Sequence, residues 1–292
     1  MNEYLTSEVV VDYADGLISR REALRRLTML GVSLAVAATM LAACASPGGS
    51  TPTPAGSGSG PAGPAPLPTE AVTFPGPRGI LQGAWAAAAD PRGSVLVIHE
   101  NRGLTDHIRS VAGRLAASGY SALAVDLLSE EGGTATFTDP ARATAALSAA
   151  APTRFVPDLR AGLDELLRRV PAKSPAAMGF CFGGGMVWQL LAAGEPRLRA
   201  AVPFYGPLPD HADLSGSKPA AVLGIYAEDD ARVNASRDAA RAALEQAGLK
   251  HEIVTFPGVN HAFFNDTGQR YAPAAAAQAY QRVLDWFAAN LS

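Results

Sequence analysis

The chain has 292 residues, of which 48% are hydrophobic and 17% charged, and its formal net charge is −3. This size and composition suit one sizeable soluble domain or two small ones. No basic block is present, so we expect no nucleic-acid partner. The five histidines stand singly rather than grouped with acids or cysteines at metal-ligand spacing, so we predict no metal site.

Residues 1–43 have the organisation of an export signal. A basic segment, SRREALRRL, precedes an apolar run over 27–43, which is shorter than the roughly 20 residues that a membrane-spanning helix needs. The pair Arg20-Arg21 resembles a twin-arginine signal, although Ala23 stands where that pattern prefers Phe. The ending LAAC resembles a bacterial lipobox, in which the cysteine is lipidated.

A lipobox makes Cys44 the lipidated first residue of the mature protein. We therefore expect an exported lipoprotein, held by its lipid anchor on the outer side of the bacterial cytoplasmic membrane. The alternative is an uncleaved N-terminal anchor helix. Residues 44–69 are rich in Pro, Gly and Ser and contain no charged side chain, which predicts a flexible tether. With Cys44 lipidated, Cys181 has no disulfide partner within the chain and is a free thiol.

From about Ala71 onward, short β-rich runs alternate with amphipathic helices. Strands are predicted over 94–100, 120–128, 175–180, 199–206, 220–228 and 251–258. Helices are predicted over 105–119, 139–150, 156–170, 183–194, 235–247 and 272–290. This alternation indicates βαβ units, and hence an α/β domain over 70–292 with a doubly wound, mostly parallel sheet and helices on both faces. Active sites in such sheets lie at the carboxyl ends of the strands.

The stretch GFCFGG places Cys181 between a predicted strand and a predicted helix. Gly179 and Gly183 flank it in the pattern Gly-x-nucleophile-x-Gly. A strand that turns directly into a helix holds the central residue in a strained conformation, and the residues two positions away must lack side chains to avoid clashes. The helix N-terminus beneath the cysteine favours its thiolate form. The alternative is a buried structural cysteine at a helix–strand contact.

A nucleophile of this kind needs a base, and the base needs an orienting acid. Asp229 and Asp230 follow the strand predicted over 220–228, and His261 follows the next strand. They come after the cysteine in the order nucleophile, acid, histidine, which is the order of the strand–turn–helix hydrolases. Either aspartate could orient the imidazole.

Together, GFCFGG, YAEDDARV and NHAFFN, with VIHENRGL upstream, resemble the dienelactone hydrolase family of α/β-hydrolases over residues 72–292. The resemblance implies an α/β-hydrolase fold and a triad of Cys181, Asp230 and His261. In that family the acid stands four residues after a tyrosine, which selects Asp230, with Asp229 as the fallback.

The resemblance also implies roles for residues around the cysteine. Glu100, at the end of the strand SVLVIHE, matches a glutamate of that family that hydrogen-bonds the resting cysteine until substrate displaces the glutamate. The alternative is that Glu100 is a strand-end glutamate in a solvated loop. The oxyanion hole is implied to use the backbone N–H groups of Phe182 and Asn101.

The implied chemistry is acyl transfer. The thiol attacks an ester or lactone carbonyl to form a thioester, and the histidine protonates the leaving alcohol and then activates water. This chemistry requires no cofactor. We expect a monomer whose partners are a small-molecule ester or lactone and, through the lipid anchor, the membrane. Two alternatives remain: an inactive hydrolase-fold lipoprotein that binds a ligand or surface partner, and a thiol redox protein, although the chain lacks a resolving cysteine.

Two positions depart from the founding members of that family, which bind a substrate carboxylate with two arginines. Glu130 stands near the first of these positions and Asn265 at the second. An acid in place of an arginine disfavours an anionic substrate, so we expect a neutral ester or lactone. Arg102, Arg232 and Phe263 are candidate substrate-binding residues. Their alternatives are loop bracing for the arginines and core packing for the phenylalanine.

Overall fold

A computed structural model describes residues 2–14, 17–43, 60–171 and 173–291. Cys44 and its predicted lipidation lie outside the described residues, as does most of the predicted tether.

One eight-stranded sheet organises the chain. Its strands are β1 (Glu70–Gly76), β2 (Gly79–Ala86), β3 (Gly93–Ile98), β4 (Tyr120–Asp126), β5 (Pro175–Phe180), β6 (Ala200–Phe204), β7 (Ala221–Ala227) and β8 (His251–Phe256). They lie in the order β1-β2-β4-β3-β5-β6-β7-β8. β2 pairs antiparallel with β1 and with β4, and the pairs from β4 through β8 are parallel. The predicted mostly parallel sheet is confirmed.

Helices cover both faces of this sheet. They are α1 (Asn2–Ala14), α2 (Arg20–Met29), α3 (Leu34–Ala43), α4 (Asp106–Ala117), α5 (Pro140–Ala149), α6 (Phe155–Arg169), α7 (Phe182–Ala192), α8 (Ala231–Asn234), α9 (Arg237–Ala247) and α10 (Pro273–Asn290). Every residue of β3 to β7 is buried. Strands that are covered on both faces need apolar side chains at consecutive positions, which is why they stand out in the sequence as continuous apolar runs.

The prediction omitted the edge hairpin and α8 of the sheet domain, and also the helices α1 to α3 within the predicted export signal. β1 and β2 form an antiparallel hairpin at the sheet edge, and β1 alternates between exposed and buried residues, so it lacks the continuous apolar run of a central strand. α8 is a single turn of four residues, too short to produce a helical periodicity.

The three N-terminal helices form a small apolar cluster of their own. Its buried members are Leu5, Val9, Ala23, Leu27, Leu30, Ala37 and Leu41. The apolar run assigned to the export signal is interrupted between α2 and α3, and α1 and α2 both contact α5 of the sheet domain. In the part of the chain that the structure describes, no helix combines the length and the apolar character needed to cross a membrane.

The described end of the predicted tether, residues 60–69, makes three hydrogen bonds to the sheet domain. The buried guanidinium of Arg114 donates a hydrogen bond to the carbonyl of Ala62 at 2.7 Å. The hydroxyl of Tyr271 donates to the carbonyl of Gly60 at 2.9 Å, and the N–H of Leu67 donates to Gly113 O at 3.1 Å. A buried guanidinium requires acceptors, so these residues are held against the domain. Residues 44–59 lie outside the described residues, so the tether over 44–69 stays a prediction.

Candidate active site

Cys181 occupies a strained turn at the junction of β5 and α7. Its φ of 56° and ψ of −116° are uncommon for a residue with a side chain. A Cβ on Gly179 would lie 2.2 Å from the carbonyl oxygen of Gly183, and a Cβ on Gly183 would lie 2.3 Å from the carbonyl oxygen of Ile98. Both contacts are with backbone atoms that cannot move aside. The predicted steric need for glycine at these two positions is therefore present.

His261 and Asp230 form a buried pair beside the cysteine. The Nδ1 atom of His261 lies 2.5 Å from Oδ2 of Asp230. A ring nitrogen of His261 lies within 4.8 Å of the Cys181 sulfur. Burial alone would raise the pKa of Asp230, but the charge and hydrogen bond of His261 outweigh it and hold that pKa below its ordinary value. An ionised Asp230 therefore faces the imidazole, and the structure brings the three residues together.

The two neighbouring aspartates have different surroundings. Asp229 is exposed, and its backbone N–H donates to Val259 O. Asp230 is 5% exposed, and its Oδ1 also accepts a hydrogen bond from the N–H of Val233, in the first turn of α8. The hydrogen-bond partner of His261 is thus Asp230.

Glu100 lies at the carboxyl end of the sheet, as expected, and is 8% exposed. Its Oε2 accepts a hydrogen bond from the side-chain amide of Asn265 at 2.6 Å. Its Oε1 is buried without a hydrogen-bond partner among the described residues. Asn265 was noted in the sequence only as the replacement of an arginine, so its contact with Glu100 was missed.

The backbone of Glu100 is held by His99, a residue that the sequence analysis did not single out. Burial lowers the pKa of His99, so its ring is neutral. Nε2 accepts a hydrogen bond from the N–H of Leu127 at 3.0 Å. Nδ1 therefore carries the hydrogen and donates it to the carbonyl of Glu100 at 2.6 Å. The ring also stacks on Phe182 at 6.0 Å between centroids, which ties the end of β3 to the start of α7.

The observed hydrogen bond of the Cys181 thiol goes to Glu8 of α1, although Glu100 was the expected partner. The sulfur lies 3.6 Å from Oε2 and 3.8 Å from Oε1 of Glu8. Oε1 also accepts from the side-chain amide of Asn101 at 3.0 Å, and Oε2 lies 3.8 Å from the Arg232 guanidinium. No motif surrounds Glu8 in the sequence, and residues 1–43 were assigned to an export signal, so this contact was not foreseen.

The two residues predicted to form the oxyanion hole follow neighbouring strands, Asn101 after β3 and Phe182 after β5. Phe182 begins α7, so its backbone N–H belongs to the first turn, whose N–H groups have no acceptor within the helix. Asn101 follows Glu100 after the end of β3, and its carbonyl accepts a hydrogen bond from the Thr144 hydroxyl at 2.9 Å. That bond fixes the peptide group that follows Asn101.

The three predicted substrate-binding residues have different positions. Arg102 is exposed and lines the cleft. The Nη2 atom of Arg232 is 3.4 Å from Nδ1 of His261, so Arg232 contacts the site beside the histidine. The prediction for Phe263 is wrong. Its side chain is fully buried and packs against Tyr205 and Phe256, because the aromatic residues that follow the histidine fill the core beneath it.

Glu130 does not enter the cleft. Its carboxylate forms ion pairs with Arg78 and with Arg154, both of which lie outside the cavity lining. The expectation that this acid repels an anionic substrate therefore has no structural basis. The cleft is a cavity of about 300 Å³ lined by Glu100, Arg102, Cys181, His261 and residues of the N-terminal helices, a volume in the range of small-molecule sites.

Glu8, Cys181 and His261 also offer a carboxylate oxygen, a sulfur and a ring nitrogen within 4.8 Å of one another. Such a donor set could hold Zn²⁺. However, the Arg232 guanidinium lies within 4 Å of both Glu8 and His261, and a fixed positive charge at that distance opposes cation binding. The position of Arg232 therefore argues against a metal ion at this cluster.

Comparisons with known proteins identify the family and the fold. The sequence profile of the Dienelactone hydrolase family matches residues 81–291. Over 209 residues the chain is 36% identical to the "Putative carboxymethylenebutenolidase" of Salmonella typhi, which covers 66% of this chain and 76% of that protein. The "Putative Dienelactone Hydrolase" of Klebsiella pneumoniae superposes with a TM-score of 0.67 at 29% identity, covering 75% of this chain and 98% of that one. The "Dienelactone Hydrolase-like Promiscuous Phospotriesterase P91" from metagenomic libraries superposes with a TM-score of 0.69 at 26% identity, covering 78% and 100%.

Proposed function

Because this chain is a hydrolase that belongs to the dienelactone hydrolase family, we propose that it cleaves an ester or a lactone with Cys181 as the nucleophile. The observation that carries the proposal is the strained Cys181 at the N-terminus of α7, within 4.8 Å of a histidine that is itself paired with a buried aspartate. The name "Putative carboxymethylenebutenolidase" that the relatives carry denotes an enzyme for a butenolide, which is a lactone.

In the first half of the reaction, the Cys181 sulfur attacks the carbonyl carbon and a sulfur–carbon bond forms. Glu100, buried and with one oxygen available among its described neighbours, takes the thiol proton when substrate enters. The negative charge on the carbonyl oxygen is stabilised by the N–H groups of Phe182 and Asn101. The carbon–oxygen bond then breaks, and His261 gives a proton to the leaving alcohol, so that a thioester remains on the enzyme.

In the second half, His261 accepts a proton from water as that water attacks the thioester carbonyl. The sulfur–carbon bond breaks, Glu100 returns its proton to the sulfur, and the carboxylic acid leaves. His261 keeps the proton taken from water and gives it to the leaving alcohol of the next turnover. Asp230 holds the imidazole in one orientation and stabilises its positive charge in both halves. The reaction needs only the substrate and water.

The experiment is hydrolysis of a panel of chromogenic esters and lactones by the chain that begins at residue 44, the form that the predicted cleavage leaves, and by the same form of Cys181→Ala. We expect burst release of the alcohol with a pH-dependent steady state when Cys181 is present, and no burst in the variant. The panel contains both neutral and carboxylate-bearing members, because Glu130 no longer argues against the second kind. Absence of turnover on every substrate, with unchanged ligand binding in Cys181→Ala, would favour the alternative of an inactive ligand-binding protein.

We also propose that the protein is exported and anchored through lipidated Cys44 on the outer side of the cytoplasmic membrane. The support is the arrangement of basic segment, apolar run and LAAC ending in the sequence. A monomer remains our expectation for its oligomeric state.

A further inference from the structure

The N-terminal helices α1 and α2 close the cleft that contains the thiol. Glu8 and Asp12 of α1 and Arg26 of α2 line the same cavity as Cys181 and His261. Cys181 is 2% exposed in this arrangement. An ester can react only if its carbonyl carbon approaches the sulfur to about 3–3.5 Å. The helices therefore stand in the path of any substrate.

The Glu8 carboxylate occupies the space directly in front of the sulfur. Both of its oxygens lie within 3.8 Å of Sγ, and it is held there by the Asn101 side chain and by the charge of Arg232. A carboxylate has the planar shape of an ester carbonyl but does not react with a thiol. Its negative charge also opposes the formation of a thiolate beside it.

Two further ion pairs attach these helices to the sheet domain. Asp12 of α1 lies 2.8 Å from the guanidinium of Arg270, in the loop that follows His261. Arg25 of α2 lies 2.5 Å from the carboxylate of Asp139, the N-cap of α5. A segment joined covalently to its own site acts at an effective concentration on the order of millimolar or more. Contacts of ordinary strength therefore suffice to exclude substrate.

The boundaries of the segment coincide with the predicted processing point. α3 ends at Ala43, immediately before Cys44. Hydrolysis of the Ala43–Cys44 peptide bond would therefore release all three helices without cutting the sheet domain. The matched family region begins only at residue 81, and the Klebsiella structure, 98% of whose length is covered, matches 75% of this chain.

We propose that residues 2–43 are an inhibitory pro-segment, with Glu8 as the group that blocks the thiol, and that their removal opens the active site. The inference rests on the proposed function, in that the site it closes is the catalytic one. Water and a peptidase that cuts ahead of Cys44 are its only reactants. The precursor is held inactive and its thiol is shielded from oxidation until that cut is made.

The test uses the full chain with Cys44→Ser, so that Cys181 is the only thiol. In this background Glu8→Ala/Arg25→Ala removes the blocking carboxylate and one of the two anchoring ion pairs. The matched control is Arg21→Ala/Glu245→Ala, which removes one acid and one arginine at exposed positions. The rate of Cys181 alkylation by iodoacetamide is measured beside hydrolysis of a chromogenic ester. We expect both rates to rise at least about tenfold in the first variant and to remain at the parent value in the control.

The two readouts separate the two proposals. Faster alkylation without hydrolysis of any ester leaves the pro-segment standing and removes the hydrolase proposal. Equal alkylation in the variant and the control overturns the pro-segment, whatever the esterase activity.

A second measurement applies if the double variant does not fold. A site-specific protease sequence is inserted between Gly48 and Gly49 of the otherwise unchanged Cys44→Ser chain, which is cut after folding. We expect the alkylation rate of the cut protein to rise on dilution, as the released helices dissociate. A rate that stays at the uncut value at every dilution overturns the proposal.

Discussion

At the scale of single residues, the site depends on which carboxylate faces His261. Asp230 is buried and hydrogen-bonded to the imidazole, whereas Asp229, its neighbour in the chain, faces solvent. The adjacent pair therefore offers a matched comparison in which the same chemical change is made once inside the site and once outside it.

We expect Asp230→Asn to lower kcat for ester hydrolysis by about 10²- to 10⁴-fold, because the amide keeps the geometry but cannot stabilise a positively charged imidazole. Asp229→Asn should leave kcat unchanged. The measurement is steady-state hydrolysis by a form of the chain with an open cleft. Equal losses in the two variants would show that orientation of His261 is not the function of Asp230.

The lowered pKa of Asp230 has a consequence for stability. A carboxyl whose pKa is lower in the folded than in the unfolded chain stabilises the fold at every pH above its pKa in the unfolded chain. This stabilisation is lost as the pH falls through its pKa in the folded chain. The free energy of unfolding of wild type minus that of Asp230→Asn should therefore be larger at pH 5 than at pH 2. Urea denaturation at several pH values measures it, and a difference that grows toward low pH would contradict the assignment.

At the scale of elements, the turn between β5 and α7 is possible because three chain segments approach without side chains between them. Gly183 lies against the backbone of β3, so its missing Cβ sets how closely the start of α7 approaches the sheet. Gly185, two residues further along α7, has a different environment, since a Cβ there would meet its nearest neighbour, Pro207, at 3.6 Å.

We expect Gly183→Ala to reduce the free energy of unfolding by about 2–4 kcal/mol, because its Cβ would overlap a backbone carbonyl. Gly185→Ala should be neutral or stabilising by about 0.5–1 kcal/mol, since alanine favours a helix interior and has room there. Chemical denaturation of both variants measures the contrast. A Gly183→Ala protein as stable as Gly185→Ala would mean that β3 and α7 are less closely packed than described.

The loop that carries His261 is braced from α4. His107 is near the start of α4, and its Nδ1 atom is 2.5 Å from Oδ1 of Asp266. Asp266 follows His261 by five residues. The charge and hydrogen bond of His107 outweigh the effect of burial and lower the pKa of Asp266. Sequence patterns did not single out this pair, because the two residues are 159 positions apart and neither belongs to a motif.

At the scale of the whole molecule, the N-terminal helices and the sheet domain have separate apolar clusters and meet across the cleft. Polar contacts made by Glu8, Asp12 and Arg25 join them. Such pairs between partly exposed groups contribute modestly each, which suits a segment that is held in place and later released.

The export proposal predicts that the full chain incorporates radiolabelled palmitate when expressed in a bacterium with its lipoprotein pathway intact. Cys44→Ala should abolish the label, because the thiol is the attachment point, while Cys181→Ala should retain it. Label that persists without Cys44 would refute the lipobox assignment and place any lipid elsewhere.

Local constraint explains how much the sequence could reveal. The glycines around Cys181 and the continuous apolar runs of β3 to β7 each follow from sterics or burial that act within a few neighbouring residues, so they can be recognised in the amino-acid string. The central strands were foreseen for that reason.

Contacts between distant segments were beyond the reach of such patterns. Glu8 meets Cys181 across 173 positions, Glu130 turns away from the cleft toward Arg78 and Arg154, and Phe263 fills the core rather than the cleft. Each outcome depends on which charges and apolar surfaces the folded chain brings face to face. Long-range pairing of this kind depends on the free energy of the whole folded molecule, so it cannot be predicted from a short stretch of residues.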